Sequence, residues 1–188
     1  PATSTFLSSS VLNFQQTCRC KGSDLPLIYE PMTKVISAKH INMFMPETPR
    51  TSAGMIIVKD GKILLLRRVT GKNDRYKFQG YWCVPGGHVE VGETVVDGAV
   101  REAKEESGLV VKNPKFLFYE EEIFPEMDFF AVVHIFVARY SGGEVKIQED
   151  EISEFKWVTI EEALKENLAF SYKKILERIR DEFGDILK

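Results

Sequence analysis

The segment from Trp82 to Leu109 constrains this chain more than any other. Trp82-Cys83-Val84 reads as a short strand closed by Pro85-Gly86-Gly87, because proline and paired glycines interrupt regular structure. Thr94, with Asp97 three residues on, fits a variant of the helix-capping box, and Gly108 stands where a helix end takes a left-handed residue. The spacing predicts a helix over 95–107. On it Val95, Ala99 and Ala103 form the core-facing side, while Glu102, Glu105 and Glu106 fall within about 100° of arc. Glu106 lies about 20° from Ala99 in projection and therefore points along the buried side.

An acidic run on a helix is ordinarily a solvated face. Here three carboxylates share one stripe, one of them directed inward, and they repel each other unless a cation sits among them. Mg²⁺ suits that place, since it prefers oxygen ligands and binds through a few carboxylates plus substrate phosphates.

The rest of the chain supplies strands and covering helices. Met55-Ile56-Ile57-Val58 and Ile63-Leu64-Leu65-Leu66 flank Asp60-Gly61 and read as a β-hairpin. Residues 67–80 read as a polar, basic loop. Strands are expected over 116–119, 129–139 and 155–158, and helices over 160–167 and 172–183. Ile175, Leu176, Ile179 and Phe183 give the last helix an apolar stripe. The fold class that follows is α/β, a mixed central β-sheet between helices in an α/β/α sandwich.

With 188 residues, 44% of them hydrophobic, the composition fits one globular domain, here 51–188. Residues 1–24 are rich in Ser and Thr and carry no acid before Asp24, which fits a disordered, targeting or cloning-derived end; organellar targeting is one reading of it. Residues 25–50 form an N-terminal extension whose apolar part, Val35 to Phe44, is read as an extra strand or an arm onto a second subunit, hence a homodimer. A formal charge of −3 argues against long nucleic acid as a partner, and no apolar run is long enough for a membrane span. Cys18, Cys20 and Cys83 form neither a disulfide framework nor a zinc pattern, which points to a reducing, cytoplasmic setting.

Around the helix the sequence runs Gly87, five residues, Glu93, seven residues, then Arg101-Glu102-Ala103-Lys104-Glu105-Glu106-Ser107-Gly108. This resembles the complete signature box of the Nudix hydrolase superfamily, matching its fixed glycines, glutamates and arginine, with Ala103 where a larger aliphatic residue is common. The resemblance extends over roughly 50–170, through Leu64 to Arg68, Gly80-Tyr81-Trp82, Val84 to Gly87, and Asp150 to Trp157. It implies a Nudix-type sandwich and a Mg²⁺-dependent hydrolase, with Mn²⁺ as a substitute, that cuts the pyrophosphate of a small nucleotide substrate. By the same resemblance Glu102, Glu105, Glu106, the Gly87 carbonyl and Glu151 would hold metal, and Glu102 or Glu151 would be the base. Glu149 and Asp150 compete with Glu151 for its place. Arg101 would orient the carboxylates, and Glu93 would hold the loop or touch metal through water. His88, Arg67 and Arg68 are candidates for substrate binding, in a basic stretch that includes Lys72, Arg75 and Lys77. Tyr81, Phe78 and Phe124 are candidates to stack on a base, though aromatics near strands also serve as core.

Pro125, 16 residues beyond Leu109, resembles a marker of the ADP-ribose pyrophosphatase branch. The short Pro125 to Asp128 loop also resembles MutT-like enzymes acting on nucleoside triphosphates. The readings are therefore ADP-ribose or a nucleoside-diphosphate sugar, then a triphosphate, then a non-catalytic nucleotide-binding domain, which commonly lacks box glutamates retained here.

Overall fold

The computed structural model describes residues 48–69 and 78–187. The terminal segment 1–24, nearly all of the 25–50 extension with its proposed subunit contact, and Lys72, Arg75 and Lys77 lie outside the described residues.

Seven strands form one mixed sheet: β1 (Arg50–Lys59), β2 (Lys62–Arg68), β3 (Trp82–Cys83), β4 (Gly86–His88), β5 (Val110–Phe124), β6 (Phe129–Gly142) and β7 (Ile152–Val158). The helices are α1 (Val95–Ser107), α2 (Ile160–Ala163) and α3 (Tyr172–Phe183). β1 and β6 run parallel in the middle, and their partners are antiparallel. Ala53 to Val58 are all buried, as expected of a central strand covered on both faces.

The Asp60-Gly61 turn forms with both residues at positive φ, the requirement of a tight hairpin. The two strands then part: β1 and β2 pair only at Val58↔Ile63 and Lys59↔Lys62. Beyond that point β1 pairs with β4 and β2 with β7. Both strands are apolar on both faces, so each can bury itself in its own half of the sheet.

α1 fills the range read from the sequence. Thr94 Oγ1 accepts the Asp97 N–H, and Gly108, at φ 71°, donates its N–H to the Lys104 carbonyl. Ala99 and Ala103 are fully buried against the sheet. α3 buries Ile175, Leu176 and Ile179, each worth about 1.5–3 kcal/mol of apolar transfer. Phe183 adds a ring stacked on Phe118 at 5.8 Å.

Three elements differ most from expectation. β5 spans 15 residues rather than four, passing over Pro114 with register shifts on an outer edge where a missing N–H is tolerated. Gly86 and Gly87, expected only to end a strand, pair with Gly54 and Ala53 as part of β4. α2 is one turn long, because Asn167 and Ala169 return to bond both backbone groups of Trp82. Pro125 opens a 3-10 turn between β5 and β6. Among the described residues no helix is long and apolar enough to cross a membrane.

Candidate active site

Backbone crowding sets the floor of the site. A side chain on Gly86 would collide with the Ala53 carbonyl and Gly54 Cα, and one on Gly87 would begin 2.5 Å from Glu102 Oε1. The two glycines thus let β4 lie tight on β1 while the α1 carboxylates rest directly on its backbone. Glu106, only 5% exposed, accepts the Gly86 N–H at 3.0 Å. Its inward direction follows from sharing the helix side of Ala99 and Ala103.

Arg101 ties the glutamates together. It donates to both oxygens of Glu93 at 3.2 and 2.8 Å, to Glu102 and Glu105 at 3.0 Å each, and to the His88 carbonyl at 2.9 Å. The arginine therefore faces the acidic cluster rather than solvent, and its donors lower the Glu93 carboxyl below its ordinary value. Glu102 is raised by burial, an effect Arg101 opposes. Burial pushes Glu106 up to about 8, against the Gly86 N–H and with added repulsion from Glu102 and Glu151.

One cleft of about 410 Å³ gathers most of these groups. Gly87, His88, Arg101, Glu102, Glu105, Glu106, Glu151 and Arg68 line it, and of the three neighbouring acids near position 150 only Glu151 does. Arg68 extends past the end of the expected strand into the cleft, with a buried Nε that has no hydrogen-bond partner among the described residues. Arg67, pointing the other way, bonds Glu154 and the Gly80 carbonyl at 3.0 Å. Tyr81 is 38% exposed and packs edge-on to Phe78, outside the cleft lining. Phe124 is also outside that lining, behind Phe129 and Phe170 in a ring cluster. The His88 ring turns to Arg50 at 3.4 Å, and burial holds its pKa below the ordinary value.

Sequence reading missed the far wall: Ser52, Glu122, Phe129, Gln148, Phe170 and Tyr172. The signal for Glu122 was the alternation of Phe118, Glu120, Glu122 and Phe124, whose side chains share the sheet face that meets α3.

The carboxylates suit a hard cation, because Glu106 is buried among like charges with no basic group bonded to it among the described residues. As placed, no three His, Cys, Asp or Glu side chains among the described residues close around one point.

The family described as NUDIX domain matches residues 48–179. The chain is 36% identical over 129 residues to the ADP-ribose pyrophosphatase of Methanocaldococcus jannaschii, across 69% of this chain and 72% of that one. It is 31% identical over 112 residues to the NAD-capped RNA hydrolase NudC of Actinobacillus succinogenes, across 60% of this chain but 41% of NudC. The MutT NUDIX hydrolase of Burkholderia pseudomallei superposes with a TM-score of 0.61 at 28% identity, over 71% of this chain and 99% of that one. The matched span runs from just before β1 into the last turns of α3 and contains the whole acidic cleft; the chain belongs to the NUDIX family and is a hydrolase of pyrophosphate bonds.

Proposed function

We propose that this enzyme hydrolyses the pyrophosphate of a nucleoside diphosphate joined to a second moiety, ADP-ribose or a nucleoside-diphosphate sugar, with Mg²⁺ or Mn²⁺. The observation that carries this reading is the convergence of Glu102, Glu105, Glu106 and Glu151 with Gly87 and Arg68 on one cleft. The name of the Methanocaldococcus jannaschii relative supports the choice of substrate.

Members of the family generally use a divalent metal. Here Glu102, Glu105, Glu106, Glu151 and the Gly87 carbonyl would hold it. When bound it makes the phosphorus electrophilic and neutralises charge on the departing phosphate. Arg101 holds Glu93, Glu102 and Glu105 together at the cleft, so these carboxylates are gathered before substrate arrives. Arg68, whose side chain lines the cleft, is a donor for a phosphate oxygen. Glu102, whose affinity for a proton burial raises, or Glu151 on the opposite loop takes the proton from the attacking water.

A second reading, a MutT-type nucleoside triphosphate pyrophosphohydrolase, is favoured by the likeness to the Burkholderia pseudomallei protein over nearly all of that chain. A substrate panel with Mg²⁺ separates the two. ADP-ribose should give AMP and ribose 5-phosphate, whereas release of inorganic pyrophosphate from triphosphates supports the MutT reading. Glu106→Gln should lower turnover at least about 100-fold with the fold intact, because it removes a charge that the metal needs. An unchanged rate in that variant would sink the mechanism.

A further inference from the structure

The far wall of the cleft carries a carboxylate that the metal chemistry does not use. Glu122 lies on β5, 4% exposed, opposite Ala131 of β6. Its neighbour on the same strand face, Glu120, is ion-paired with Lys174. Glu122 has no cationic partner among the described residues; its Oε1 accepts the Ser171 N–H at 3.0 Å. A carboxylate offers about four acceptor positions; the Ser171 N–H and hydroxyl are directed at this one, and the remaining positions are open to whatever enters the cleft it lines.

The surroundings specify the kind of group. Phe129, Val133, Phe170 and Tyr172 line the same end of the cleft. The Phe129 and Phe170 rings lie 5.4 Å apart, and the Arg68 guanidinium lies 5.6 Å from the Phe170 ring. Phe170 holds a φ of 49°, a left-handed conformation disfavoured for a bulky residue, so the fold bears strain to keep that ring in place. Aromatic and apolar walls accept a flat ring, and a buried carboxylate repels phosphate but takes N–H donors.

Resting on the reading that the cleft takes a nucleoside diphosphate, we propose that Glu122 is a specificity-determining residue that accepts a hydrogen bond from the exocyclic amino group of the nucleobase. Adenine derivatives are then preferred over hypoxanthine derivatives, whose six-position carbonyl would face the carboxylate oxygen. An acceptor meeting an acceptor in a buried site leaves both unsatisfied.

A purely structural role for Glu122, anchoring the start of α3 through Ser171, predicts something different under substitution. In Glu122→Gln the amide oxygen keeps the Ser171 N–H, which turns the amide NH₂ toward the cleft. Acceptor becomes donor, and the preference should move from amino to carbonyl.

The test measures kcat/KM for ADP-ribose and its inosine analogue, and calorimetric binding of AMP and IMP, on the full chain with Mg²⁺ at pH 8. That pH lies above the value of about 7 to which burial raises Glu122. The wild type should favour the adenine ligand by roughly 10-fold or more, and Glu122→Gln should reduce that ratio at least about 10-fold. A wild-type ratio near one in both assays overturns the proposal, as does an unchanged ratio in a folded variant. Should Glu122→Gln fail to fold, the wild-type ratio alone decides. Discrimination between AMP and IMP without hydrolysis of any diphosphate would overturn the proposed function while leaving the Glu122 assignment standing.

Discussion

Five oxygens accept hydrogen bonds from Arg101, drawn from Glu93, Glu102, Glu105 and the His88 carbonyl. A planar fork can meet that many acceptors at once; an ammonium, with one compact charge on a flexible stem, cannot. Arg101→Lys keeps the charge yet should loosen Glu102 and Glu105, raising the Mg²⁺ concentration for half-maximal rate by roughly 10–100-fold. A Mg²⁺ titration of activity checks this, and an unshifted midpoint would refute the positioning role. At this scale the sequence was readable where spacing alone dictates direction: Glu106 turns inward because its helix places it beside Ala99. It was not readable where direction depends on a neighbour's pull. Arg67 and Arg68 are consecutive and chemically alike, but alternation along β2 sends the first to Glu154 and the second into the cleft.

Among the elements, α1 was legible to the residue because each end carries its own local chemistry. Thr94→Ala removes the oxygen that accepts the Asp97 N–H and should cost about 1 kcal/mol, lowering Tm by about 2–4 °C. Thermal unfolding followed by circular dichroism reads this directly, and an unchanged Tm would mean that tertiary packing alone defines the helix start. Elements whose limits are set by partners were harder to read. β5 looks like a short strand because Pro114 and three consecutive glutamates mask it, whereas pairing along β6 and burial of every second residue over 118–122 extend it. α2 starts where expected, and in the structure Thr159 and Glu162 cap it reciprocally, but nothing local shows that 167–169 must leave the helix to clamp Trp82. β4 is hidden for the opposite reason. Its glycines read as breakers, yet a strand this close to β1 admits nothing larger.

On the scale of the whole molecule, the sheet buries carboxylates from two elements at the cleft, Glu106 from α1 and Glu122 from β5, and this links folding to pH. Burial raises Glu122 from the ordinary carboxylate value to about 7, with a smaller contribution from Glu120 and opposition from Ser171. Between about pH 4.5 and 7 the folded protein therefore holds a proton that the unfolded chain has released, so stability falls as pH rises. The contribution is fully present below the unfolded value and is lost by the time pH passes the folded one. Glu106, raised to about 8, acts in the same direction in the metal-free protein, so the wild type alone does not isolate Glu122. A comparison with Glu122→Gln does, because the amide cannot titrate while Glu106 remains in both proteins. Urea unfolding with a chelator present should show the variant gaining on the wild type by on the order of 2 kcal/mol between pH 5 and 7.5, then no further above it. A difference that stays constant across that window would mean that Glu122 is ionised equally in the folded and unfolded chains, and that its burial carries no electrostatic cost.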